Sequence, residues 1–398
     1  MRAVTWQGRE DVRVEQVPDP VIEQPTDAVI RVTSTAICGS DLHLYATLGM
    51  YMHAGDILGH EAMGVVEQVG ADVDRLKAGD RVVVPFNISC GTCWMCSRGL
   101  YAQCETTQVT RHAKGAALFG YTELYGQVPG GQAEYLRVPQ AQFGPVVVPA
   151  DDRPDEHWLF LSDILPTAWQ AVRFADVGPG DTLAVFGLGP VGQLAVTCAM
   201  HLGVDRVIGV DLVGYRLQRA RAKGAETVDL SDVADIASAI RDLTGGRGAD
   251  GVVDAVGMEA HGAPLAAAAQ RLAGLLPASV AKPVSERAGI DRLAALHAGL
   301  ASARRGGTVS VVGVYGGAVD PMPMMSMFDK GVTLRMGQAH VRRWTDELLA
   351  ILSGPGDPLG VDDLTSHRMP LADASRGYKT FQAKQDDCLK VVLDPTVS

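Results

Sequence analysis

Apolar and polar positions alternate in two different rhythms along this chain. Over roughly the first 150 residues, short β-branched runs recur at 28–33, 64–69, 81–85 and 133–138, separated by Gly, Pro and Asp. Runs of that length between turn residues predict a β-rich region. From about residue 166 to 317 the rhythm changes. Apolar runs at 182–186, 206–210, 251–256 and 308–314 alternate with stretches of helical period. That alternation predicts βαβ units and a parallel, doubly wound sheet. The closing stretch returns to mixed short elements. The chain therefore reads as a first domain over 1–164, a dinucleotide-binding domain over 165–320, and a return to the first domain over 321–398. The segment 258–305 is long for one crossover. It is rich in Ala and Leu and broken near Lys282 and Pro283, which predicts helices plus an added loop.

Composition narrows the function classes. A chain of 398 residues suits two cores better than one. The formal net charge is -11, with the acidic residues spread along the chain. Nucleic acid is not the expected partner, because binding phosphates calls for basic patches. No apolar run is long enough for a membrane span. Residues 1–6 hold one Arg and no apolar run, so no signal peptide is expected, and the cytoplasm is the expected location. Seven cysteines are too few for a disulfide scaffold of this size, and four of them cluster.

That cluster is Cys90-Gly91-Thr92-Cys93-Trp94-Met95-Cys96 followed by Cys104. Two intervening residues let neighbouring thiolates reach one tetrahedral ion. Four sulfurs close the coordination sphere, so a structural zinc is expected. An iron–sulfur cluster fits such thiols too, but nothing else in the chain suggests electron transfer.

A second metal constellation lies in Cys38-Gly39-Ser40-Asp41-Leu42-His43 and Gly59-His60-Glu61. One thiolate and one imidazole suit zinc. A catalytic zinc keeps three protein ligands and one open position. Cys38 and His60 supply two; the third, on chemistry alone, is Glu61, Asp163 or another group. An alcohol must lose its proton before hydride departs. Ser40 is close enough in sequence to Cys38 to meet the reacting oxygen. His43 could pass the proton on, since an imidazole titrates near neutrality.

A dinucleotide fingerprint follows the strand at 182–186. Gly187-Leu188-Gly189-Pro190-Val191-Gly192 leads into a helix expected over 193–202. Gly187 permits the tight turn, Gly189 admits the pyrophosphate, and Gly192 lets helix and strand pack closely. The helix N-terminus favours phosphate, and Pro190 is tolerated in the first turn. Asp211 closes the next strand, 24 residues after Gly187. A carboxylate there accepts from ribose hydroxyls and repels a 2′-phosphate, so NAD is expected over NADP. Arg216, on the following helix, could reach the adenosine edge.

On these motifs, with Gly79-Asp80-Arg81-Val82, the sequence resembles the zinc-containing medium-chain alcohol dehydrogenase family over essentially its whole length. Within that family, Ser162-Asp163-Ile164-Leu165-Pro166-Thr167-Ala168-Trp169 is similar to the branch of glutathione-independent formaldehyde dehydrogenases. The resemblance implies an α/β chain with a Rossmann domain and a β-rich GroES-like catalytic domain. It implies NAD and two zinc ions per chain. Cys38, His60 and Asp163 become the catalytic zinc ligands, with Glu61 a neighbour that ligates when water leaves. Asp41 becomes the residue that orients His60. Ser40 and His43 match the family's proton relay, linked through the cofactor ribose. Thr167, Val191 and Val314 are placed by the resemblance on the nicotinamide side, and Phe86 beside the substrate.

Liver-type members carry a cysteine where Asp163 falls. A carboxylate donates less electron density, so the ion should be a stronger Lewis acid. The implied substrate is a small primary alcohol or aldehyde. S-(hydroxymethyl)glutathione and polyol dehydrogenases are the rival enzymes, and a non-catalytic nucleotide-binding protein the remote one. Gly39 stands where glutathione-using enzymes typically carry a bulkier cationic residue. The branch has an added loop over the adenine end of NAD; 258–305 is its counterpart here, shorter and differently composed. The family also implies a homodimer or homotetramer through sheet edges, with 309–314 as the expected edge.

Overall fold

The computed structural model describes residues 1–257, 293–315 and 322–397. The chain forms two compact units. One comprises Met1–Pro166, His340–Asp357 and Val361–Ser398; the other comprises Thr167–Ala339 and Pro358–Gly360.

The first unit is built on a seven-stranded sheet. Its hub is the strand Ala28–Ile37, the longest β-branched run of the region. That strand pairs antiparallel with Glu61–Val69, with Tyr135–Val138 and with Val391–Asp394. Ile30, Val32, Val66 and Val82 pack in one core cluster of this unit. Ile37, Leu44, Tyr378 and Val391 pack in another. A hairpin of Arg2–Gly8 and Asp11–Gln16 and the parallel pair His367–Pro370 with Val391–Asp394 complete the strands that site the chemistry. Val391–Asp394, by pairing with Ala28–Ile37, brings the first and last parts of the chain into one sheet, which local periodicity does not reveal.

The second unit holds a six-stranded sheet in which every pair is parallel. In spatial order the strands are Glu226–Asp229, Arg206–Asp211, Thr182–Phe186, Ala249–Asp254, Ala303–Val311 and Thr333–Met336. Numbered along the chain this is 3-2-1-4-5-6, the doubly wound order that binds dinucleotides where the order reverses. Thr182–Phe186 is buried throughout after its first residue. A central strand covered on both faces carries no polar alternation, which is why it reads as one apolar run.

Two expectations need correction. The second boundary falls at 339–340 instead of 320–321, because the helix Met324–Lys330 and the strand Thr333–Met336 still belong to the cofactor unit. The expected edge at 309–314 is wrong for the same reason: Ala303–Val311 is flanked on both sides, and Thr333–Met336 is the edge. Of the segment 258–305, expected as helices plus a loop, the described part is the helix Ala294–Ser302 and the start of the strand Ala303–Val311. The rest of that segment, 258–292, lies outside the described residues.

Candidate functional site

Strand register assembles the first cluster. Ala36 pairs with Glu61, and Ile37 pairs with Val391. Cys38, His60, Glu61 and Lys390 therefore lie at adjoining strand ends. Cys38 is extended and caps the helix Gly39–Ala46, and its N–H donates to Asp41 Oδ2 at 2.9 Å. Gly59 supplies the turn before His60, at φ +97°. Asp163 follows the short helix Phe160–Ser162, which is tied to Phe86 N–H through Ser162 O at 3.0 Å.

One donor atom from each of Cys38, His60, Glu61 and Asp163 lies within 4.8 Å of the others. All four residues are buried. Asp163 Oδ2 is 3.3 Å from Cys38 Sγ and 3.4 Å from His60 Nε2. Zinc bonds of about 2.0–2.3 Å put tetrahedral donors roughly 3.3–3.8 Å apart. The donor edges therefore fit one zinc. Electrostatics agree. Burial, then the charges of Asp163 and Glu61, push the Cys38 thiol up to about 11. Burial opposes the charged form of His60, yet Asp41 and Cys38 together hold it well above its ordinary value. The cluster thus takes up protons where a cation would otherwise neutralise its charge.

The surroundings include groups that sequence reading missed. Lys390 Nζ donates to Glu61 Oε1 at 2.5 Å, and both side chains are fully buried. Its signal was a lone Lys in the run Cys388-Leu389-Lys390-Val391-Val392-Leu393. Tyr121 sits edge-on to His60, as Phe86 does, with ring centroids 6.2 and 6.1 Å away. Phe86 was expected at the site; nothing in the local sequence marked Tyr121. Ser40 Oγ is 3.1 Å from His60 Nε2, on the donor side of the ring. Asp41 Oδ1 faces His60 Nδ1 at 3.1 Å. His43, one helical turn beyond Ser40, is buried, so a direct exit to solvent is not what it offers.

The second cluster is the cysteine lobe. Cys90, Cys93, Cys96 and Cys104 have sulfurs within 4.8 Å of one another, and all are free thiols. Cys93 and Cys104 Sγ are 3.9 Å apart, close to a tetrahedral zinc edge. Backbone N–H groups of Thr92, Cys93, Cys96 and Glu105 point at these sulfurs at 3.3–3.5 Å. Such donors stabilise thiolates. Although burial raises Cys90, Thr106 Oγ1 and the N–H donors outweigh it and bring the thiol down to about 6. Gly91 turns at φ +80°, and a Cβ there would meet the Phe143 ring at 2.4 Å.

In the cofactor unit, Gly187 turns at φ +84° against Ala255 and Val256, at the switch point of the sheet. A Cβ on Gly192 would lie 1.8 Å from Gly187 O, whereas one on Gly189 would meet only Arg216 Nη1, at 3.7 Å. Gly192 is thus closely packed, and Gly189 faces open space but for Arg216. Pro190 and Val191 open the helix Pro190–His201. Asp211 accepts N–H bonds from Leu188, Leu212 and Val213 at 2.7–2.9 Å. A carboxylate has about four acceptor positions, so one remains for a ribose hydroxyl. Thr167 lies on the helix Ile164–Ala175, and Val314 follows the strand Ala303–Val311 beside Gly257.

A doubly wound sheet in one unit and a mixed thiolate, imidazole and carboxylate donor set in the other define a metal-binding dehydrogenase. Comparison with known proteins places it further. Residues 24–150 match the alcohol dehydrogenase GroES-like domain, and residues 190–273 match the zinc-binding dehydrogenase domain. An uncharacterised zinc-type alcohol dehydrogenase-like protein of Bacillus subtilis is 42% identical over 99% of this chain and 100% of its own. The glutathione-independent formaldehyde dehydrogenase of Pseudomonas aeruginosa is 34% identical over 99% and 97%. The solved alcohol dehydrogenase of Thermus sp. ATN1 is 35% identical and superposes with a TM-score of 0.81 over 99% of both chains. The chain belongs to the zinc-type alcohol dehydrogenases and is an oxidoreductase of that family. No helix among the described residues is long and apolar enough to cross a membrane.

Proposed function

We propose that this chain is an NAD-dependent dehydrogenase interconverting a small primary alcohol and its aldehyde, of the formaldehyde-dehydrogenase kind. The carrying observation is the buried donor set of Cys38, His60 and Asp163, with Ser40 Oγ 3.1 Å from His60. Zinc held by these three residues supplies a Lewis acid for the substrate oxygen, and NAD supplies the hydride acceptor. Ser40 takes the hydroxyl proton. His43, three residues on and so on the same helix face, moves it onward. Glu61 stays paired with Lys390 as a reserve donor. The aromatic rings of Phe86 and Tyr121 beside His60 favour a small substrate. The lobe from Cys90 to Cys104 holds a second, structural zinc.

NAD is preferred because Asp211 retains an acceptor for the ribose, while Arg216 beside Gly189 suits the pyrophosphate. Thr167, Val191 and Val314 line the nicotinamide side. The chain assembles as a homodimer or homotetramer through the edge Thr333–Met336, where Met336 and the nearby Phe328 are 61% and 86% exposed. Seven free thiols suit a reducing compartment such as the cytoplasm.

A substrate panel tests the reading. Formaldehyde with and without glutathione, short primary alcohols and polyols are assayed with NAD and with NADP, and zinc is measured on the same sample. Glutathione-independent turnover with NAD and two zinc ions per chain are expected. A strict need for glutathione, or faster turnover of polyols, would reject it.

A further inference from the structure

Behind the donor set lies a line of polar groups that ends on the C-terminal helix. Tyr378, Gln132 and Asp41 are completely buried, and His60 is 5% exposed. Tyr378 Oη donates to Gln132 Oε1 at 2.9 Å. Gln132 Nε2 donates to Asp41 Oδ2 and to Ala36 O, both at 3.2 Å. The amide can point only one way. Asp41 and Ala36 offer acceptors alone, so a flipped amide would set oxygen against two oxygens. Packing holds it as well. Gln132 N–H bonds to Leu58 O at 3.0 Å, and a Cβ on Gly59 would strike Gln132 Cγ at 2.4 Å. The glutamine is thus wedged against the turn that presents His60.

The consequence falls on Asp41. Its Oδ2 is occupied by Cys38 N–H at 2.9 Å and by the Gln132 amide at 3.2 Å. Its Oδ1 is left facing His60 Nδ1 at 3.1 Å, an ion-pair contact, and neither of those buried atoms has a hydrogen-bond partner elsewhere to draw it away. A carboxylate held in that pose requires hydrogen on Nδ1. The lone pair then sits on Nε2, on the side of Ser40 and Asp163. The geometry points to Gln132, backed by Tyr378, as a positioning residue that sets the tautomer and ring orientation of His60 through Asp41. Neither residue contacts the donor set directly. Tyr378 is anchored in turn by Tyr45, ring centroids 5.4 Å apart, which lies on the helix that carries Ser40 and Asp41. This inference rests on the reading of Cys38, His60 and Asp163 as a zinc site.

The test compares the zinc-loaded wild type with Gln132→Leu, which keeps the bulk without the amide, and with Tyr378→Phe, which removes one oxygen. A chelator withdraws zinc while release is followed. The cysteine lobe is an internal control, because it shares no residue with the network. Gln132→Leu is expected to release the catalytic zinc about tenfold faster or more, as removal of outer partners does. Tyr378→Phe is expected to act in the same direction but more weakly, and the lobe phase should not change in either variant. On metal-free protein, at a pH high enough to leave His60 neutral, nitrogen-15 shifts of His60 should show one Nδ1–H tautomer in the wild type and a mixture in both variants. Equal acceleration of both zinc phases, or an unchanged tautomer in both variants, overturns the inference. Should Gln132→Leu not fold, Tyr378→Phe carries the same two readouts. A wild type holding zinc only in the lobe instead overturns the reading of the active site itself.

Discussion

Lys390 Nζ donates to Glu61 Oε1 at 2.5 Å, and neither side chain has any solvent exposure. The pair is separated by 329 residues of chain. Burial alone would lower the Lys390 ammonium, but Glu61 outweighs it and holds the group above its ordinary value. Lys390 is therefore a fixed positive charge beside three acidic donors, with Phe160 below it at 5.9 Å.

Breaking this pair from one side should be costly. Lys390→Met leaves a buried carboxylate alone, and about 3–5 kcal/mol of stability should be lost. Glu61→Gln added to that variant should restore most of it. Thermal unfolding of the two single variants and the double variant gives the coupling. Additive losses would show that the two residues do not act as a unit.

Gly192→Ala should cripple cofactor binding without unfolding the sheet. Its Cβ would fall 1.8 Å from Gly187 O, so the turn that faces the pyrophosphate must move. Affinity for NADH, read by fluorescence titration, should weaken at least tenfold, about 1.4 kcal/mol. Gly214→Ala is the control: a Cβ there has nothing within 4 Å.

Acid should destabilise the catalytic unit through His340. Burial and the nearby Arg343 lower this imidazole to about 4, and its Nδ1 accepts the Ala102 N–H at 3.1 Å. The unfolded chain takes up a proton below pH 6.5, which the folded chain refuses until about pH 4. The contribution of His340 is thus present above that upper value and is lost as pH falls through the window. The slope is at most about 1.4 kcal/mol per pH unit. Urea unfolding at several pH values should show a shallower acid loss in His340→Asn, whose amide oxygen can still accept from Ala102. Parallel profiles for both proteins would refute the assignment.

The exposed sheet edge should control assembly. Phe328→Glu with Met336→Lys places charge on side chains that are 86% and 61% exposed in the single chain. Light scattering should show a shift from dimer or tetramer to monomer, with zinc content unchanged. An unaltered mass would move the interface elsewhere.

Local chemistry was well represented in the sequence. The cysteine lobe needs only two two-residue spacings and one of seven, and the structure brings its four sulfurs together. The glycine fingerprint sits between its strand and its helix as expected. The last strand of the cofactor sheet was missed. Thr333–Met336 is short and mostly exposed, so it lacks the apolar run that marked the others. Its omission shifted both the domain boundary and the assigned edge.

What the sequence determined by itself is whatever a short stretch of chain can hold in place: the lobe, the phosphate turn, and the pairing of Cys38 with His60 as candidate donors. Chemistry alone left the third donor open between Glu61 and Asp163, and family resemblance chose Asp163. Tertiary structure brings both carboxylates to the cluster, with Glu61 bound to Lys390 and Asp163 Oδ2 within 3.4 Å of both Cys38 and His60. That arrangement depends on strand register, Ala36 against Glu61 and Ile37 against Val391. A local hydrophobic pattern fixes which face of a strand is buried, but which distant strands meet is decided only when the whole sheet packs.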